Sequence, residues 1–188
     1  MNREIMINFL VKTAIPINVY KENAAPSVPR VYDAVWRAHR DVLTGRFQLK
    51  EYCSLGKGKK KHLVTEALYS HIVKLGQSGQ NLSSMELIDF LHGEFPDIEF
   101  GAIQKLVNMT LKYLLILKNT TGECDYEIDE QNCHCPIDSV ILGKLSQKHT
   151  SWTKLGEKEY LQIQTEIHGL LPAGYTDSGN IVFDFQQW

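Results

Sequence analysis

Two residues in this chain have the types and settings that covalent chemistry needs. Lys105 stands in the most apolar stretch, GAIQKLVNMTLKYLLIL (101–117). An ammonium on so apolar a helix is costly to bury, and burial favours the neutral amine, which is a nucleophile. A plainer reading stands beside it: Gln104, Lys105, Asn108 and Lys112 follow helical i, i+3/i+4 spacing and would form the helix's one wet stripe. Asp138 lies in CHCPIDSVIL (133–142). If Cys135 caps a helix and Pro136 is its first residue, Asp138 falls in the first turn. A carboxylate there meets unpaired N–H groups and the positive end of the helix dipole. The same position suits an active-site acid, so the structural and chemical readings coexist.

Two other clusters carry weaker chemistry. Cys124, Cys133, His134 and Cys135 could supply four zinc ligands. Adjacent residues of an extended chain point to opposite sides, however, and structural zinc sites use pairs spaced by two to four residues. The bland reading is small buried hydrophobes. No metal or cofactor is expected. Lys57, Lys59, Lys60 and Lys61 lie in SLGKGKKKH (54–62), read as a Gly/Lys loop. Its order is not that of a Walker A loop, which leaves a solvated loop or a nonspecific phosphate contact.

The elements that must position these residues read as helices. Ser27 and Pro29 open the first, with Val31, Val35, Ala38 and Val42 on one face and Arg30, Asp33, Arg37 and Asp41 on another. A second runs through Val64, Ala67, Leu68, Ile72 and Leu75. Ser83 and Glu86 have capping-box spacing for a third. The apolar stretch holding Lys105 is the fourth, central and buried. A fifth follows Pro136, and a sixth covers about 155–170. NIVFDF (180–185) reads as a short strand or an extended tail. The class is all-α: a compact multi-helix domain at 29–171, an irregular N-terminal segment at 1–28 and a C-terminal tail at 172–188.

The chain has 188 residues, 43% of them hydrophobic, enough for a core without metal or disulfide support. The net charge of −2 means that any nucleic-acid binding must come from a local patch. Four cysteines, two of them flanking His134, fit a reducing cytosol better than a disulfide framework. The first 20 residues are too interrupted by charge to span a membrane and lack the order of a signal peptide. A cytoplasmic protein without membrane contact is expected.

Residues 83–152 resemble the helix-hairpin-helix DNA glycosylase superfamily. In that family a capped helix leads into a hairpin, the second hairpin helix begins near a lysine, and a later helix opens with a proline-x-aspartate element. SSMELIDFLHGEFPDIEFGAIQKLVNMTLKYL resembles the hairpin pair, and CPIDSVILGKLSQKHTSW the aspartate helix. The resemblance places Lys105 at the Schiff-base lysine and Asp138 at the catalytic aspartate. Their separation is close to that of the archaeal 8-oxoguanine glycosylases. It implies a base-excision glycosylase with a lyase step, acting on double-stranded DNA without a cofactor. Gln104, Asn108, Lys112, His134 and Trp152 would face the substrate, with Trp36 and Tyr113 as further pocket aromatics. Lys57, Lys59, Lys60 and Lys61, with Arg30, Arg37 and Arg40, would supply the basic patch. The hairpin turn departs from the family: FPDIEFGA carries Asp97 and Glu99 where relatives have a Gly-rich turn. The alternative is a non-catalytic helical domain that binds nucleic acid or an unknown protein.

Overall fold

A computed structural model describes residues 27–43, 57–122, 124–145, 151–175 and 178–187. Residues 1–26 of the N-terminal segment lie outside them. The described chain is all-α. Its helices are α1 (Ser27–Leu43), α2 (Lys57–Gln77), α3 (Ser84–Glu94), α4 (Phe100–Ile116), α5 (Ser139–Leu142), α6 (Glu157–Gly169) and α7 (Ile181–Gln187). Among the described residues β pairing is confined to one bridge between Leu82 and Ile128, and no helix is long and apolar enough to cross a membrane.

Helix α4 is the axis of the core, as its all-round apolar character requires. Leu106, Val107, Leu111, Leu114 and Leu115 are buried against the apolar faces of α1 and α3. Residues 95–99 turn the chain between α3 and α4, with the Ile98 N–H donating to the Phe95 carbonyl at 2.9 Å. At its far end α4 loosens into a π turn, Leu117–Thr121, stopped by Gly122 at φ 69°. That left-handed conformation is one glycine adopts without a Cβ penalty.

Four expectations are corrected. The Gly/Lys run is not a loop from residue 57 onward; it is the first turn of α2. Lysine is a good helix former, and the Lys61 ammonium donates to the Leu43 carbonyl at the end of α1. A cation there satisfies an orphan carbonyl and complements the helix dipole. Ser83 begins α3 in extended conformation, but the capping box does not form. Glu86 instead reaches His71 Nε2 at 3.4 Å. The helix after Pro136 starts three residues late, with Asp138 itself as N-cap. Finally, NIVFDF is neither strand nor loose tail: Ile181, Val182, Phe183 and Phe185 of α7 are buried in the same core as α4.

Buried imidazoles make this core acid-sensitive. Burial holds His39 down at about 4, with His62 and Lys61 adding repulsion. Burial likewise holds His134 at about 4. Both are neutral in the fold at pH 7, whereas an unfolded histidine protonates near 6.5. Their contribution is therefore whole above about 6.5 and is lost as pH falls toward 4. Urea midpoints measured from pH 7 to 4 should fall across that window, and His39→Gln should flatten the decline.

Candidate functional site

The two residues singled out for chemistry meet. Lys105 Nζ lies 3.2 Å from Asp138 Oδ2, although 33 positions separate them. Lys105 projects from the second turn of α4. Asp138 stands at the mouth of α5, where the backbone is extended (φ −141°, ψ −173°). The carboxylate divides its work between its oxygens. Oδ1 accepts the N–H groups of Val140 (2.9 Å) and Ile141 (3.0 Å), and Oδ2 faces the amine. The side chains keep 14% and 20% of their surface exposed, so both remain accessible from outside.

A third group completes the cluster. Lys105 Nζ lies 4.8 Å from the centroid of the Trp152 ring, a cation–π distance. Trp152 opens a short 3₁₀ turn, Trp152–Lys154, laid against the start of α4. Gly101 permits that approach: a Cβ there would lie 1.9 Å from the Trp152 carbonyl oxygen. Gly101→Ala must push the turn away, and overpacking of this kind costs about 1–3 kcal/mol. Thermal unfolding should report that loss. A variant as stable as wild type would mean that the turn yields freely.

The remaining predicted contacts are not gathered here. Gln104 and Asn108 face the interior, fully buried, and hydrogen-bond within the chain. Lys112 is buried too, paired with Asp184 of α7 and 5.2 Å from the Phe185 ring centroid. The wet stripe is thus a row of internal polar anchors, and only Lys105 reaches the surface. His134 is turned to Tyr160, whose hydroxyl lies 2.8 Å from Nδ1. That hydroxyl accepts from Asn108 Nδ2 at 2.8 Å, so it donates to a neutral His134 ring.

Trp36 clusters with the rings of His39 and His62, with centroids at 4.8 and 4.9 Å and the two imidazoles 5.4 Å apart. Tyr113 donates to Asp41, and burial with that carboxylate raises its hydroxyl. Arg30 pairs with Asp33 at 3.8 Å and Arg37 with Asp41 at 3.1 Å, so these two cations are balanced along α1. Of the lysine run, only Lys61 has a described side chain, and it is spent on Leu43.

Cys124, Cys133, His134 and Cys135 do not assemble as a zinc centre. Among the described residues no group of three or more His, Cys, Asp or Glu could hold a metal. Cys124, Cys133 and Cys135 are buried free thiols, each raised chiefly by burial.

What sequence reasoning missed is the support behind the site. Gln164 is buried and bonded to Cys135 at both backbone groups, and buried Asn180 donates to the Gln164 carbonyl and Oε1 from behind. Nothing in their local spacing marks them. Trp152 was one of three candidate pocket aromatics, with Trp36 and Tyr113; its observed neighbour is Lys105. The chain matches no protein-family model, no curated protein and no solved structure.

Proposed function

We propose that this chain is a base-excision DNA glycosylase with a lyase step, using Lys105 as nucleophile. The observation that carries the reading is the convergence of Lys105 and Asp138 at an accessible point of the surface. The aspartate is fixed by two backbone N–H groups, and an indole lies over the amine.

The target nucleotide is turned out of the duplex stack. Once the Lys105 ammonium has given a proton to Asp138 Oδ2, the amine attacks the sugar C1′. The Nζ–C1′ bond forms as the glycosidic bond breaks, and its electron pair leaves with the base. Asp138 is thus the base that frees the amine. Opening of the sugar ring leaves an imine. Loss of a C2′ proton then expels the 3′ phosphate.

Asp138 separates chemistry from capping. Asp138→Asn keeps an Oδ acceptor for Val140 and Ile141, and asparagine caps about as well as aspartate. Base release from a duplex bearing 8-oxoguanine or uracil should slow by about 10²–10⁴-fold while the unfolding midpoint holds. Asp138→Ala should lose the same activity and also about 0.5–2 kcal/mol. Full activity in Asp138→Asn removes the carboxylate from the mechanism.

A second reading has one observation of its own. Asp97 and Glu99 are exposed in the α3–α4 connector, where they would repel a phosphate. That favours a non-catalytic helical protein binding a different partner. Duplex affinity that increases in Asp97→Asn/Glu99→Gln would show that these acids face DNA; no affinity in either form supports the second reading.

A further inference from the structure

Residues 133–138 run between helices as a buried extended segment, and its backbone groups need partners that no neighbouring strand supplies. Side chains take that part. The His134 N–H donates to Ser84 Oγ at 2.8 Å. Cys135 is held at both backbone groups by Gln164: its N–H donates to Oε1 at 3.1 Å, and Nε2 donates to its carbonyl at 2.7 Å. Two residues on, Ile137 is held the same way by Gln104, with its N–H donating to Oε1 at 3.1 Å and Nε2 donating to its carbonyl at 2.8 Å. A primary amide presents one acceptor and one donor side by side, so it can match both groups of one extended residue.

The second clasp is in register with the site. Gln104 immediately precedes Lys105 on α4, and Ile137 immediately precedes Asp138. Adjacent residues of the helix therefore grip adjacent residues of the segment, one pair through backbone hydrogen bonds and one through the ion pair. We propose that Gln104 is the positioning residue of this site, fixing Ile137 so that the Asp138 carboxylate meets both the α5 N–H groups and the Lys105 amine. Gln104 is itself oriented from behind. Its Nε2 also donates to the Gly101 carbonyl at 3.0 Å, and its Oε1 accepts from Asn108 Nδ2 at 3.4 Å. Asn108 in turn accepts from Ser84 Oγ at 2.7 Å and donates to Tyr160. The amide's two ends are thus assigned by the network. The chemical purpose of the pair rests on the glycosylase reading; its positioning by Gln104 does not.

The test separates positioning from plain stability. A double-mutant cycle of Lys105→Met and Asp138→Asn, read by urea unfolding of the full chain, measures the coupling between the two side chains. The cycle is run in wild type, in Gln104→Met and in Gln164→Met. Both glutamine variants should be less stable. Positioning by Gln104 predicts that the coupling disappears in Gln104→Met and survives in Gln164→Met, whose clasp holds Cys135 instead. Coupling that persists in Gln104→Met overturns the proposal, as does equal loss in both backgrounds. If Gln104→Met does not fold, Gln104→Glu is used. It keeps the acceptor for the Ile137 N–H and loses the donor to the carbonyl, so the coupling should fall below half, and an undiminished coupling overturns the proposal. Borohydride capture of an abasic duplex by the wild-type chain is scored separately. Failure there rejects the glycosylase reading and leaves the coupling result standing on its own.

Discussion

Lys105→Gln is expected to abolish covalent capture of an abasic duplex while leaving the fold in place. The amide of glutamine is not a nucleophile, so no imine forms and borohydride has nothing to reduce. The structural loss is small. Asp138 keeps its bonds to Val140 and Ile141, and its partly exposed Oδ2 can turn to water. A partly exposed ion pair is worth about 1 kcal/mol or less, and the cation–π contact to Trp152 about 0.5–1 kcal/mol. Urea unfolding should find a modest shift beside a total loss of adduct. A variant that still forms the adduct removes Lys105 from the chemistry.

The largest stability effect is expected elsewhere on the same helix. Lys112 and Asp184 are both buried and form an ion pair between α4 and α7. Removing one partner strands a charge in the core, at about 3–5 kcal/mol. Lys112→Met should therefore come close to unfolding a protein of ordinary stability. Lys112→Met combined with Asp184→Leu leaves no charge behind and should recover most of the loss, since an apolar pair can replace a buried ion pair at little net cost. Equilibrium unfolding of the three variants checks this. Equal stability of Lys112→Met and wild type would show that Asp184 finds water or another partner when α7 loosens.

These two lysines illustrate how far the sequence could be read. Periodicity located α1, α2, α3 and α6 by their apolar faces, and α4 by its nearly unbroken apolar run. It also placed Lys105, Asn108 and Lys112 on related turns. It could not say which of them would be paid for by a distant partner. Lys112 meets Asp184, and Asn108 meets Tyr160, through contacts 72 and 52 positions away in the chain (184 − 112; 160 − 108). The same blindness explains the misread ends. NIVFDF has the β-branched and aromatic content of a strand, but strand propensity expresses packing against neighbours. Here the segment is a helix buried nearly all round, with Ile181, Val182, Phe183 and Phe185 all in the core.

Pro136 suggested a helix starting at once. Instead Gln164 and Gln104 hold Cys135 and Ile137 extended, and the helix waits for Asp138. The pairing of Lys105 with Asp138 was legible only through the family resemblance, which set both in one site; their own settings equally suited a wet-stripe lysine and a helix-start carboxylate. The glutamine clasps behind the pair were not, since a buried glutamine looks like any other until its partner's backbone is in view.

The central claim is that Lys105 forms an imine with a nucleic-acid sugar. Its most direct test is borohydride trapping of the wild-type chain on duplexes carrying an abasic site, 8-oxoguanine or uracil, followed by mass mapping of the adduct. The account predicts a covalent complex whose modified peptide carries the sugar on Lys105. A folded chain that yields no adduct with the abasic duplex, or an adduct on a different lysine, would contradict it.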